Sequence, residues 1–236
     1  MWSEPASRGP LVVAHRGASA YEPENTLRAI RKALALRAPA VEVDVRRSKD
    51  GALVVLHDET VNRTTDGTGS VGSLTLEELR ALDVGMGERI PTLTEVFGTV
   101  RGKASLVLEL KERGLWQPVV QLARGRLDLG DLIVVSFHRS EIAELKTAHP
   151  DLRAGALSVG DSSDALSWAV GARADLAGFR HEATTADLAD RLHQSGRRLL
   201  VWTVNDPGRA KEVAVLGADL IVSDAPDVIL EAVEST

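Results

Sequence analysis

The stretch "LVVAHRGASAYEPENTLRAIRKALALRAPAVEVDV" (residues 11–45) contains two apolar, strand-like runs with a helical pattern between them. The runs cover residues 11–14 and 40–45, and the helical pattern covers about residues 25–36. A strand, a helix and a second strand form the unit from which parallel β-sheets are built. The stretch therefore predicts an α/β protein.

The same alternation continues to the end of the chain. Further strands are predicted near residues 104–110, 132–136, 153–157, 175–179, 198–203 and 219–222. Further helices are predicted near residues 116–127, 139–148, 163–171, 184–195, 207–216 and 226–234. Eight β units in 236 residues are typical of a closed (β/α)8 TIM barrel. An open, doubly wound sheet is the alternative.

One long interval, between the second strand and the one near residue 104, breaks this alternation. It contains another strand-like run, "ALVVLHD" (52–58), then the turn-rich "NRTTDGTGSVGS" (62–73) and the short helical "LTLEELRAL" (74–82). The interval predicts a small inserted segment, at about residues 58–100, with one further barrel or hairpin strand. Because no linker or low-complexity stretch is present, we expect a single domain over residues 1–236.

Composition excludes several classes of protein. The net charge is −6 and no block of lysine and arginine occurs, which argues against a nucleic-acid partner. The first ten residues lack the apolar core of a signal peptide, and no apolar run reaches the ~18 residues that cross a bilayer. We therefore expect a cytoplasmic protein without stable membrane insertion. The absence of cysteine excludes disulfides, thiolate metal ligands and a cysteine nucleophile.

Polar side chains stand near the ends of two predicted strands. "VEVDV" (41–45) alternates with a period of two, so Glu42 and Asp44 share one face and three valines share the other. "LVLELK" (106–111) places Glu109 and Lys111 on one face in the same way. Valines suit the face that packs against helices. We therefore expect the polar groups to point into the barrel at its C-terminal mouth, where barrel enzymes have their active sites.

Two histidines and an arginine fall at the same predicted mouth. His15 and Arg16 follow the first strand, and His57 ends the run 52–58. Three buried carboxylates are best balanced by a divalent cation, and an all-oxygen donor set favours Mg²⁺ or Ca²⁺. Arg16 and Lys111 suit a phosphate group, and the histidines suit acid and base chemistry near neutral pH.

Each of these residues also has a purely structural interpretation, such as an ion pair or a solvated strand end. We interpret Asn25 and Thr26 as helix caps rather than substrate contacts. Phe137, Phe179 and Trp202 are candidates for the pocket wall, with a place in the core as an equal alternative for Phe179 and Trp202. The convergence of seven polar residues at one end of neighbouring strands favours a functional site.

The motifs "AHRG…PENT" (14–26), "VEVDVRRSKDGALVVLHDETVNRTTDGTG" (41–69), "LVLELK" (106–111) and "VWTVND" (201–206) resemble the glycerophosphodiester phosphodiesterase family. The shorter "IPTL" (90–93) and "SF" (136–137) agree, and the resemblance covers nearly the whole chain. It implies a (β/α)8 barrel with a small insertion after the second strand. It also implies metal-assisted hydrolysis of a small-molecule glycerophosphodiester to glycerol 3-phosphate and an alcohol.

The resemblance also implies roles for the residues at the mouth. By position, the acid/base pair is His15 and His57, the phosphate contacts are Arg16 and Lys111, and the metal ligands are Glu42, Asp44 and Glu109. The sequence departs from the family pattern at "SFH" (136–138) and "LIVSDAPD" (220–227), which lie near strand ends and could alter the choice of alcohol.

The motifs leave two alternatives of function and two of mechanism. A lysophospholipase D-like enzyme for single-chain lipids needs an apolar entry surface. The chain has only eight aromatic residues, which argues against such a surface. A non-catalytic phosphodiester-binding barrel would lack a histidine or a carboxylate of the set. No serine lies in a nucleophile elbow, so the attacking group is either the glycerol hydroxyl or water. The sequence does not determine the oligomeric state.

Overall fold

The computed structural model describes residues 9–159 and 162–234, with residues 162–165 through their backbone only. The strands are β1 (Leu11–Ala14), β2 (Ala40–Arg47), β3 (Leu53–Val55), β4 (Ser105–Leu110), β5 (Leu132–Ser136), β6 (Arg153–Ser158), β7 (Leu176–Arg180), β8 (Arg198–Trp202) and β9 (Leu220–Ser223). All except β3 run parallel in the order β1-β9-β8-β7-β6-β5-β4-β2, and β1 also pairs with β2. This closure confirms the predicted TIM barrel and excludes the open sheet.

The helices surround the barrel in chain order. They are α1 (Leu27–Ala35), α2 (Leu76–Ala81), α3 (Leu93–Val100), α4 (Trp116–Ala123), α5 (Arg139–Ala148), α6 (Ser162–Gly171), α7 (Ala186–Gln194), α8 (Pro207–Val215) and α9 (Pro226–Glu234). Thr26 caps α1 by accepting a hydrogen bond from the backbone N–H of Ala29 at 3.1 Å. Asp206 caps α8 in the same way, directly before Pro207 in the first turn.

Alternate side chains of each barrel strand lie in two apolar layers, one outside the sheet and one inside the barrel. Val41, Val43 and Val45 of β2 lie in the layer between the sheet and the helices. The barrel interior is filled by a second cluster: Val13, Ala40, Val107, Ile133, Val135, Leu157, Leu176, Leu200, Leu220 and Val222. This cluster fills the interior below the C-terminal mouth. Inward-facing positions nearer the mouth are not needed for the core and can therefore carry polar side chains.

The segment inserted after β2 folds back on that strand. β3 pairs antiparallel with β2, with Val55 opposite Val45, and so forms a hairpin rather than another barrel strand. Its apolar residues form a separate small core with α2: Val54, Leu56, Val61, Val71, Leu79, Val84 and Ile90. α3, in contrast, contributes Leu93 and Phe97 to the main core. The hairpin carries the chain back to the mouth, where the N–H of Leu56 donates to the carbonyl of Asp44 at 3.0 Å.

No helix in the described part of the chain is long and apolar enough to cross a membrane.

Candidate active site

A tight turn follows β1 and fixes its end against β2. Arg16 lies in the left-handed region, with φ of 54°, and its backbone N–H donates to Glu42 Oε2 at 2.9 Å. Gly17 follows with φ of 82°, and a Cβ there would lie 2.5 Å from the carbonyl carbon of Ala29. Only glycine fits that position, because any side chain would meet the backbone of α1. The turn therefore holds the end of β1 close to the carboxylates of β2.

Three carboxylates meet at the mouth. Glu42, Asp44 and Glu109 each offer one oxygen, and these oxygens lie within 4.8 Å of one another. The pairing of β2 with β4 sets Asp44 beside Glu109. Asn25 also fixes Asp44, because its side chain donates to Asp44 Oδ2 at 2.8 Å and accepts from the Asp44 N–H at 3.2 Å. The predicted clustering of the three acids is present.

Two cations partly balance this cluster. Lys111 Nζ lies 2.6 Å from Glu109 Oε1 and 3.6 Å from Asp44 Oδ1. Arg16 Nε lies 3.4 Å from Asp44 Oδ2, and Arg16 Nη1 donates to Glu24 Oε1 at 2.8 Å. The predicted cations thus lie against the predicted acids.

The carboxylates differ in how well they tolerate their charge. Burial and the negative charge of Asp44 raise the pKa of Glu42 well above its ordinary value. The same two causes raise the pKa of Glu109 to about 7. Burial also opposes the charge of Asp44, but Lys111 and Arg16 outweigh it and lower the pKa of that carboxyl. Burial and mutual repulsion therefore oppose the ionisation of Glu42 and Glu109, and a divalent cation bound there would offset that cost.

Two of the histidines at the mouth, His15 and His57, are each held through Nδ1 by an aspartate. His15 Nδ1 lies 2.7 Å from Asp224 Oδ1, and His57 Nδ1 lies 2.6 Å from Asp58 Oδ1. Burial outweighs the nearby negative charges and lowers the pKa of His57. Neither Nε2 has a hydrogen-bond partner in the described part of the chain. An imidazole fixed in this way presents Nε2 to a ligand.

The two aspartates are themselves held in different ways. Asp224 accepts hydrogen bonds from Ser19 Oγ at 2.8 Å and from Asn205 Nδ2 at 2.6 Å. Burial opposes its charge, but the bonds to His15, Asn205 and Ser19 lower its pKa to about 2. Asp58 is bound instead by Arg63, whose guanidinium contacts both of its oxygens at 2.7 and 3.1 Å.

The carboxylates, cations and histidines surround a cavity of about 480 Å³ at the barrel mouth. Opposite them, the wall is largely apolar, with Val135, Leu157 and Leu200 below and the rings of Phe137 and Trp202 above. The two rings meet edge to face, with centroids 5.7 Å apart. Three polar residues lie at the rim: Arg180, which ends β7, and His181 and Glu182, which follow it. Phe137 and Trp202 therefore lie in the wall.

The structure excludes the cavity wall for Phe179, in favour of the core alternative, and corrects the interpretation of Asn25. Phe179 does not line the cavity: it is fully buried among the residues that pack the sheet against the helices. On β7, Leu176 faces the interior, so the period of two turns Phe179 outward. Asn25 is not a helix cap, because its side chain faces Asp44, and Thr26 alone caps α1.

Sequence reasoning missed three residues of the site. Asp58 directly follows His57, and that adjacency was the available signal. Asp224 lies in the stretch 220–227, which was noted only as a departure from the family pattern. Asn25 lies in "PENT", but nothing in the chain indicated its left-handed backbone, with φ of 58°.

A cavity lined by acids, histidines and cations at the C-terminal mouth of a (β/α)8 barrel is the arrangement of a barrel enzyme. Residues 15–228 match the model of the glycerophosphoryl diester phosphodiesterase family, and the chain belongs to that family. The predicted enzyme class, a phosphoric diester hydrolase, is confirmed.

Individual relatives match this chain along nearly their whole length. A glycerophosphodiester phosphodiesterase of Caldanaerobacter subterraneus is 34% identical over 238 residues, covering 94% of this chain and 97% of the relative. The structure of an Oleispira antarctica phosphodiesterase, in complex with its product sn-glycerol-3-phosphate, has a TM-score of 0.90 at 29% identity and covers 96% and 97% of the two chains. The glycerophosphodiester phosphodiesterase of Agrobacterium tumefaciens has a TM-score of 0.84 at 30% identity and covers 94% and 99%.

Proposed function

We propose that this chain hydrolyses glycerophosphodiesters to glycerol 3-phosphate and an alcohol, with a divalent cation at its three carboxylates and two histidines as acid and base. One observation carries the proposal: Glu42, Asp44 and Glu109 offer oxygens within 4.8 Å of one another beside a cavity that His15 and His57 line. The Oleispira phosphodiesterase, which holds sn-glycerol-3-phosphate, supports this choice of product.

The donor set fits a hard cation. All three candidate ligands are carboxylates, which suit Mg²⁺ or Ca²⁺, and the raised pKa values of Glu42 and Glu109 reflect burial and neighbouring negative charge, both of which a cation would offset. When bound there, the cation would supply stabilisation of the charge on the phosphoryl oxygens. This assignment makes Glu42, Asp44 and Glu109 the metal ligands.

Arg16 and Lys111 are proposed to orient the phosphate. Arg16 lines the cavity, and its Nε, although 3.4 Å from Asp44 Oδ2, makes no hydrogen bond to the described residues. Lys111 lines the same cavity with an ammonium held by Glu109. An arginine fork and a lysine point charge together suit the negatively charged non-bridging oxygens of a trigonal-bipyramidal phosphoryl transition state.

The histidines are proposed to move the two protons of the reaction. Asp224 and Asp58 hold Nδ1 of His15 and His57, which leaves each Nε2 to exchange a proton with substrate. One histidine accepts a proton from the attacking hydroxyl, and the other donates one to the leaving alcohol, so the pair returns to its starting total charge. The attacking hydroxyl is proposed to belong to the substrate's glycerol or to water. Attack by the glycerol hydroxyl would release the alcohol and leave a cyclic glycerol phosphate, which water would then open to glycerol 3-phosphate.

An assay with and without chelator tests the proposal. The purified protein is treated with EDTA, dialysed, and given glycerophosphocholine, glycerophosphoethanolamine, glycerophosphoglycerol or glycerophosphoinositol while glycerol 3-phosphate is measured. We expect no turnover in EDTA and recovery on addition of Mg²⁺ or Ca²⁺. Full turnover in excess EDTA by protein that contains no metal would contradict the cation assignment.

A pair of variants shows where the cation acts. Glu109→Gln removes a proposed ligand, whereas Glu77→Gln removes an exposed carboxylate on α2, outside the cavity. We expect Glu109→Gln to need far more cation for half-maximal activity and Glu77→Gln to need the same amount as the unmodified chain. Equal cation requirements in the two variants would place the metal elsewhere.

A further inference from the structure

The cavity wall opposite the carboxylates carries one charged residue on the inward face of a barrel strand. Leu176 of β7 belongs to the barrel interior and Phe179 to the outer layer, so the strand's period of two directs Arg180 inward at the mouth. Arg180 pairs in register with Trp202 of β8, and both line the cavity. Arg180 is also exposed, so its guanidinium is open to a ligand.

Arg180 differs from the other cations of the cavity in its partners. Arg16 is bound to Glu24 at 2.8 Å, and Lys111 is bound to Glu109 at 2.6 Å. Among the described residues, no carboxylate forms an ion pair with Arg180. The neighbouring Glu182 contacts His181 instead, with Oε1 and Nε2 3.4 Å apart. A guanidinium keeps its charge at every physiological pH, so this wall presents a permanent positive charge that no described carboxylate pairs with.

The substrate's phosphodiester group does not supply that counterpart in the proposed site. Its single negative charge is assigned to the cation, Arg16 and Lys111, which lie on the β1–β4 side of the cavity. The glycerol part of the substrate is neutral and offers no charge either. Within the bound substrate, a second negative group can therefore come only from the leaving alcohol.

We infer that Arg180 selects glycerophosphodiesters whose leaving alcohol carries an anionic group, either a carboxylate or a phosphomonoester. The inference rests on the proposed function, since it names the substrate class of that site. Both anions match the arginine fork, with two oxygens facing two N–H groups. The rings of Phe137 and Trp202 supply apolar surface for the carbon atoms of the alcohol beside it. On an alcohol that also carries an amino group, as serine does, Glu182 offers the opposite charge at the same rim.

Matched substrates isolate the anionic group. Glycerophosphoserine and glycerophosphoethanolamine differ by one carboxylate, and glycerophosphoglycerol with and without a terminal phosphomonoester differs by one phosphate. We expect kcat/KM to be about fivefold higher for the anionic member of at least one pair, as for an arginine–anion contact at a partly exposed site. The pair that shows the preference identifies the anion, and the preference should shrink as salt is raised.

Variants assign the preference to Arg180. In Arg180→Gln the ratio of kcat/KM values should fall to about one, and in Arg180→Glu it should fall below one because the rim then repels the anion. Arg124→Gln is the control: Arg124 is an exposed arginine after α4, outside the cavity, and its loss should keep the original ratio.

The outcomes separate this inference from the proposed function. A ratio near one for both pairs in the unmodified chain, or a preference that persists in Arg180→Gln, would overturn the role of Arg180 while hydrolysis itself stands. Failure to hydrolyse any glycerophosphodiester with Mg²⁺ or Ca²⁺ would instead overturn the proposed function.

Discussion

The two sides of the cavity mouth are built in opposite ways. On the β1–β4 side, charged groups hold one another: the N–H of Arg16 donates to Glu42 at 2.9 Å, and Lys111 contacts Glu109 at 2.6 Å. On the β5–β8 side, the wall is largely apolar below a polar rim, and the rings of Phe137 and Trp202 meet edge to face. A buried charge that loses its partner is costly, whereas an exposed apolar contact is cheap to change. We therefore expect the first side to determine turnover and the second to determine which alcohol is accepted.

The largest loss is expected at the most buried acid. Asp44→Asn keeps the shape of the side chain but removes a charge shared by Lys111, Arg16 and the proposed cation. Stabilisation worth several kcal/mol would be lost, so kcat/KM should fall by about 10³. Steady-state kinetics at saturating Mg²⁺ or Ca²⁺ check this, with circular dichroism to confirm the fold. A folded variant with more than a tenth of the original activity would contradict the proposal that the charged side determines turnover.

Loss of a proton carrier should cost somewhat less. His57→Ala removes an imidazole from the charged side, and kcat should fall by about 10² or more, the usual contribution of general acid–base catalysis. His138→Ala is the matched control, because His138 contacts the carbonyl of Lys111 at 3.1 Å but does not line the cavity. Unchanged kcat in His57→Ala would remove His57 from the mechanism.

The aspartate behind His15 should matter through orientation. Asp224→Asn keeps the hydrogen bonds possible but alters the tautomer of His15 that is favoured, so kcat should fall about tenfold to 100-fold with little change in KM. The control is Asp219→Asn, which alters a similar His–Asp contact to His193, at 2.8 Å, outside the cavity. If both variants lost activity equally, a general loss of stability would explain Asp224 better than a role at His15.

The same aspartate makes stability depend on pH. The pKa of Asp224 is lowered to about 2 from an ordinary value of 3.8, so its contribution is complete above pH 3.8 and is lost as pH falls through 2. About half of that contribution should be gone by pH 3. Urea unfolding of the unmodified chain and of Asp224→Asn should therefore show a larger stability difference at pH 6 than at pH 3. A difference that grows towards low pH would contradict the sign.

The smallest effect is expected on the apolar side. Phe137→Ala removes an edge-to-face contact with Trp202 from a side chain that is already 39% exposed. An aromatic pair contributes about 1 kcal/mol, so KM should change by about fivefold and kcat should remain close to its original value. Comparing glycerophosphocholine with glycerophosphoglycerol would show whether the change depends on the alcohol. A drop in kcat as large as that of His57→Ala would remove the distinction between the two sides.

The charged side could be predicted from sequence because its residues follow local rules. Period-two alternation in 41–45 and 106–111 placed Glu42, Asp44 and Glu109 on inward faces, and closure of the barrel brought the strands together. The barrel itself followed from eight repeats of strand and helix. The run 52–58 was compatible with a barrel or a hairpin strand, because alternation does not reveal the direction of pairing.

The residues that hold the histidines in place could not be predicted, because their contacts join distant parts of the chain. Asp224 is 209 positions from His15 along the chain, and only closure of β1 against β9 brings them to 2.7 Å. Phe179 was left as a candidate for either the cavity wall or the core. Gly178 occupies an interior-facing position on β7 but has no side chain. The sequence of β7 therefore did not show the alternation that places Phe179 on the outer face.

The antiparallel hairpin gives the inserted segment a part in assembling the site. His57 stands just after β3, so it belongs to none of the eight barrel strands. Ion pairs run from Asp58 through Arg63 and Glu24 to Arg16, joining the segment to the end of β1. A chimaera that received this insertion in another member's barrel would carry Arg63 with the insertion. It would also need Glu24, which lies in the β1–α1 loop. The exchangeable module in protein engineering is thus the insertion together with the β1–α1 loop.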